Sequence, residues 1–174
     1  MKYLVKLFVV TFFIIASTHA FAEQKIVVLD MKHVLNNSKA GKGAQDFLKK
    51  SFNANAKKYT DMETALKKEE SDLLKKKNVL SKEDYTKKSN ALRKKVIDYQ
   101  SERRSSLDKI ATQRAESREK LLKKIRPIVD AYIKENNISL VIDKKDMIGG
   151  LNEYDITEVI VEKLNKELPS LNLQ

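Results

Sequence analysis

The sequence predicts an α+β protein: a long antiparallel α-helical hairpin standing on a small β-rich base that is completed by its own copies. Three observations carry this. Residues 44–126 contain neither proline nor glycine and are dominated by Lys, Glu, Leu, Ala, Gln and Arg, residue types that cost little in a helix. The two ends instead carry short β-branched runs, which read as strands. Two or three strands of five or six residues do not make a stable isolated sheet, and their unpaired edges invite pairing with another chain.

The first 22 residues stand apart. Lys2 and Lys6 form a positive start, residues 7–16 are apolar apart from Thr11, and Ala20-Phe21-Ala22 is an A-x-A cleavage site ahead of Glu23. These are the three parts of a secretory signal peptide in order. A membrane span needs about 20 apolar residues, and this core has about half that. Cleavage is expected after Ala22, leaving residues 23–174. With no cysteine in the chain, lipoprotein attachment has no anchor, and an oxidising compartment would be used without disulfides. The expected location is the bacterial periplasm.

The hairpin is assigned to residues 43–120. On its rising arm Phe52, Tyr59, Leu66, Leu73 and Leu80 recur every seven residues, but the companion positions Asn55, Glu69 and Lys76 are polar, with Met62 the exception. A full coiled-coil seam has apolar residues at both positions, so this seam is half-strength. The pattern breaks near residues 78–82. Ser81, with Asp84 three residues later, reads as the start of a new helix. The return arm carries Tyr85, Leu92, Val96, Tyr99 and Ile110. At about 1.5 Å per residue the arms span roughly 55 Å and 80 Å. Pro127 predicts a kink or break near Arg126. A thin seam suits a flexible clasp better than a rigid strut.

The base is assigned to residues 23–42 and 121–174. Lys25-Ile26-Val27-Val28-Leu29-Asp30 reads as one strand, Ile138-Ser139-Leu140-Val141-Ile142-Asp143 as a second, and Met147-Ile148-Gly149-Gly150-Leu151 as a third. Asp155, ahead of Val159, Ile160, Val161 and Leu164, reads as the cap of an amphipathic helix limited by Pro169. Ile26, Val28, Leu140 and Ile142 are expected in the strands that the copies share.

Charge is concentrated in the hairpin. The chain has a net charge of +11, and residues 43–120 hold 21 Lys and Arg against 13 Asp and Glu. Residues 121–174 hold 8 against 9. A basic arm on a near-neutral base points to an acidic polypeptide, anionic lipid or nucleic acid as partner.

Catalysis finds little material. His33 is the one histidine after residue 22, with no cysteine or second histidine to share a metal or a proton relay. Gly149-Gly150 lacks phosphate-loop spacing. Gly41-Lys42-Gly43 reads as a helix-entry turn rather than an anion site. No enzyme and no cofactor are expected.

Ile26-Val27-Val28-Leu29-Asp30-Met31, followed by Val34-Leu35-Asn36-Asn37-Ser38-Lys39-Ala40-Gly41-Lys42-Gly43-Ala44, resembles the opening of the Skp/OmpH family. So does the close, Leu140-Val141-Ile142-Asp143-Lys144-Lys145 with Asp155-Ile156-Thr157 and residues 159–165. The resemblance implies a homotrimer with a β-rich body and three helical tentacles around a cavity. It further implies a periplasmic holdase that binds unfolded outer-membrane proteins without ATP. Lys57, Lys58, Lys67, Lys68, Lys75, Lys76, Lys77, Lys87, Lys88, Arg93, Lys94 and Lys95 are then candidate contributors to a collective client-attracting field. Anionic lipid or lipopolysaccharide are further partner classes, although no specific lipopolysaccharide site is carried over from relatives. The alternative is a basic coiled-coil envelope protein that binds anionic lipid or nucleic acid, or serves as a spacer. Nucleic acid is not expected, because export disfavours it and the hairpin lacks an aromatic platform for bases.

Overall fold

The computed structural model describes residues 24–173, so the expected signal peptide lies outside the described residues. Strand β1 is Lys25–Leu29 and helix α1 is Met31–Asn37. The rising arm α2 is Lys39–Lys75 and the return arm α3 is Lys82–Glu135. Strand β2, Ile138–Asp143, follows, then single 3-10 turns at Lys144–Asp146 and Asn152–Tyr154, and helix α4 at Thr157–Glu167.

Short polar side chains mark the helix starts. The Asp30 carboxylate accepts from the His33 N–H at 2.7 Å, and the Ser38 hydroxyl accepts from the Gly41 N–H at 3.2 Å. The rising arm therefore begins four residues before the predicted Gly43. Ser81 caps α3, accepting from the Asp84 N–H at 3.0 Å and donating to its carboxylate at 2.7 Å. These caps satisfy backbone donors that have no partner within their own helix. At the other end of α3, Asn137 adopts φ 52°, the left-handed turn that Asn tolerates and that commonly ends a helix.

Helix α3 runs through Pro127, so the break expected there does not occur. Proline inside a helix costs about 3 kcal/mol. Here its ring faces solvent while Ile125 and Ile128 on either side are buried in the base. Core contacts therefore hold the backbone helical across it.

Strands β1 and β2 pair in parallel, with Ile26 opposite Leu140 and Val28 opposite Ile142. Parallel strands require a crossover, and the whole hairpin is inserted into it. The predicted third strand at Met147–Leu151 is not formed. That segment is a loop around Gly149-Gly150, after which the chain returns to β1 through an N–H of Ile156 bonded to the Val28 carbonyl at 2.9 Å. One core joins all parts of the base: Val27 and Leu29 of β1, Val34 and Leu35 of α1, Leu121, Ile125 and Ile128 of α3, and Ile160, Val161 and Leu164 of α4. Each such side chain contributes roughly 1.5–3 kcal/mol through burial. The Asp30 N–H donates to the Thr157 hydroxyl at 2.9 Å, fastening the start of α1 to the start of α4.

Candidate functional site: the basic arm and the open base

The arms meet along a sparse seam. Tyr59, Leu92, Tyr99 and Ile110 are buried along it, as are Ala44, Leu48 and Ser117 nearer the base, while Leu66, Leu73, Tyr85 and Val96 are half-buried. Phe52, the first residue of the seven-residue repeat, is half exposed instead. Tyr59 crosses the hairpin, and its hydroxyl donates to the Glu102 carbonyl at 3.0 Å.

The predicted cations fall into two groups. Lys57 is paired with Asp61, Lys58 with Glu102, Lys67 with Glu63, Lys75 with Asp72, and Lys95 with Glu69. Lys68, Lys76, Lys77, Lys87, Lys88, Arg93 and Lys94 carry no ion pair among the described residues. All twelve are exposed. The hydrogen bond between Lys67 and Glu63 holds the Glu63 carboxyl below its ordinary pKa and raises that of Lys67. The unpaired members gather toward the tip and onto the return arm, so the field there is the least neutralised.

An apolar groove lies between the arms in this distal half, which the charge pattern alone did not reveal. Leu66, Leu73, Leu74, Leu92, Val96 and Ile97 line a cavity of about 590 Å³. Leu74 and Ile97 are 57% and 63% exposed. The signal was in the sequence as the doublets Leu73-Leu74 and Val96-Ile97. Their second members fall outside the repeat and so cannot enter the seam.

At the base, the four predicted assembly residues share one face of the sheet but are unequally covered. Val28 is buried and Ile142 half-buried, whereas Ile26 and Leu140 are 41% and 52% exposed. Ile148, Leu151 and Tyr154 in the following loop are exposed as well. The loop is anchored where Lys144 donates to the Asp155 carboxylate at 2.7 Å. Partial burial works against ionisation of Asp155. The Lys144 ammonium and the Thr157 hydrogen bonds outweigh it and hold the carboxyl below its usual range.

His33 pairs with Glu158 at 2.8 Å on the outside of the base. Among the described residues no cluster of three or more His, Cys, Asp or Glu could hold a metal ion, and no helix is long and apolar enough to cross a membrane.

Comparison with known proteins adds three findings. The family model described as outer membrane protein (OmpH-like) matches residues 25–164. A Skp-like protein of Pseudomonas aeruginosa PAO1 is 26% identical over 157 residues, covering 90% of this chain and 94% of that protein. The crystal structure of a candidate outer membrane chaperone (OmpH-like) from Caulobacter crescentus CB15 superimposes with a TM-score of 0.80 at 17% identity, covering 91% and 94% of the two chains.

Proposed function

Since the chain belongs to the OmpH-like outer membrane protein family, we propose that it is a periplasmic holdase that binds unfolded outer-membrane proteins and prevents their aggregation without ATP. The observation that carries this reading is the distal arm, where an open apolar groove, edged by Arg93 and by Lys67 beside Glu63 and Glu70, shares the same half of the hairpin with the exposed, unpaired lysines. Long-range attraction to the cations raises the encounter rate with an acidic client. Once it has arrived, apolar client side chains bury against Leu74, Ile97 and their neighbours. Each such contact is worth on the order of 1 kcal/mol or a little more, so retention comes from many of them and release needs no nucleotide. No covalent step is involved.

The reading extends to assembly and export. Three copies complete the base, each covering the apolar face of Ile26 and Leu140 on another. A two-stranded sheet with exposed apolar residues supports this, because such a sheet is too small to stand by itself. Residues 1–22 direct export and are removed after Ala22. Residues 43–120 do the holding, and residues 23–42 with 121–174 do the assembling.

The test is to dilute a urea-unfolded β-barrel protein into buffer with and without the purified chain and to follow light scattering. Suppressed scattering that persists without nucleotide is expected. Unchanged scattering would leave the arms as a spacer.

A further inference from the structure

A second cavity lies at the root of the arms, where α1, α2 and α3 diverge. It occupies about 660 Å³, within the range of small-molecule sites, roughly 300–1,000 Å³. Its apolar lining comes from Leu35, Ala44, Leu48 and Leu121, with the half-exposed Phe52 ring beside them. At buried position 117 the return arm carries a serine rather than a large apolar residue, and the seam is correspondingly unfilled. Lys49, Arg114 and Arg118 edge the cleft against one carboxylate, Asp46. Arg114 and Arg118 are one helical turn apart, so their side chains share a face of α3. Neither has an ion pair among the described residues.

We infer that this cleft binds a monomeric single-chain anionic amphiphile, its carboxylate held by Arg114 and Arg118 and its alkyl chain lying along α2 from Phe52 toward Leu35. Guanidinium groups favour this kind of head group because they present paired donors to a carboxylate. The alkyl tail, rather than a stretch of polypeptide, follows from hydrogen bonding in the walls. The walls are helical, so their backbone groups are internally bonded. The Ser117 hydroxyl donates to the Gln113 carbonyl at 2.6 Å and the Gln45 amide nitrogen donates to Asn36 at 3.2 Å, so neither donor is left for a peptide carbonyl. An extended peptide buried there would leave backbone groups unpaired, at a cost an alkyl chain does not incur. This site is separate from the distal groove and does not depend on client holding.

The experiment is equilibrium dialysis of radiolabelled palmitate, below its micelle concentration, against the purified full-length assembly. Saturable binding is expected, with hexadecanol at least about tenfold weaker because it lacks the charged head. R114Q with R118Q should weaken palmitate by a similar factor, and Phe52→Ser should weaken both probes. Exposed Arg-to-Gln changes keep helix propensity, and unchanged circular dichroism and sedimentation establish that the fold survives. Lys87→Gln with Lys88→Gln should leave binding unchanged. Equal binding of palmitate and hexadecanol, non-saturable uptake, or an unaffected arginine double variant would overturn the inference. So would displacement of palmitate by an acidic apolar peptide that binds more tightly, which would make the cleft a polypeptide subsite.

Discussion

Tyr59 of the rising arm and Tyr99 of the return arm meet edge to face across the hairpin, their ring centroids 6.1 Å apart at 63°. Both are buried, in a stretch where most neighbouring positions are polar and exposed. They tie the two arms together between the cleft at the root and the distal groove. Tyr59→Phe should lose one hydrogen bond and about 1 kcal/mol of local stability. Tyr59→Ala should cost roughly 3 kcal/mol. Amide hydrogen exchange should accelerate around residues 92–106 in the alanine variant while the base stays protected. Uniform acceleration would mean that arm and base unfold as one unit.

Gly41 is required by proximity. A Cβ there would fall on the backbone carbonyl of Leu35, and backbone cannot move aside as a side chain can. Gly41→Ala should therefore destabilise the elbow between α1 and α2 by about 2 kcal/mol or more, although alanine is the better helix former. Gly43 has open space around it, so Gly43→Ala should be neutral or slightly stabilising. Thermal denaturation of the two variants checks the contrast.

The pairing of Lys144 with Asp155 sets a pH window. The Asp155 carboxyl is held low, so its contribution is present above the ordinary carboxylate range and is lost as pH falls through the lowered value. The Lys144 ammonium is held high by the same hydrogen bond, so its contribution is lost only as pH rises through the raised value. Asp155 lies one residue before the cap position, Ile156, rather than at it. Asp155→Ala also removes the acceptor for the Thr157 N–H and should cost about 1 kcal/mol, the worth of one hydrogen bond. Calorimetry should find the gap in melting temperature constant between about pH 6 and 9 and shrinking below about pH 4. A gap that persists undiminished at pH 2 would exclude the carboxylate as its source.

Charge steering should reside in the unpaired lysines. Lys68, Lys76, Lys77, Lys87 and Lys88 changed together to Glu should slow capture of an acidic unfolded client at low salt. The difference should fade near 1 M salt, where screening shortens to about 3 Å from about 10 Å at 0.1 M. Stopped-flow capture rates measure this. Capture by the reversed variant at the wild-type rate in low salt would leave the groove as the sole determinant.

Holding and assembly should separate along the chain. Replacing residues 54–106 with a short helical-hairpin turn removes the groove but none of the core residues of the base. It should leave an assembled protein, by sedimentation, that no longer suppresses client aggregation. Leu140→Asp with Ile142→Asp puts charge on the apolar sheet face and should disperse the assembly. A shortened protein that still protects clients would move the binding surface to the base.

The hairpin was legible in the sequence because helices are specified locally. The absence of proline and glycine across residues 44–126, the Ser81 cap and the seven-residue spacing each act within a turn or two. The same holds for the strands at Lys25–Leu29 and Ile138–Asp143. Tertiary structure decided what depends on distant contacts. The parallel pairing of Ile26 with Leu140 across the inserted hairpin is one such feature, and the helical path through Pro127 is another. Met147–Leu151 read as a strand from its apolar residues, yet a strand exists only where a partner edge accepts it, and in this chain none does. The grooves are the clearest case. Phe52 read as the first member of the seam, yet it is half exposed, while Leu74 and Ile97 fall outside the repeat and line the groove from its open side. Periodicity can tell which side of a helix is apolar. Which of those apolar residues a neighbouring helix covers is decided by tertiary packing, which no local pattern encodes.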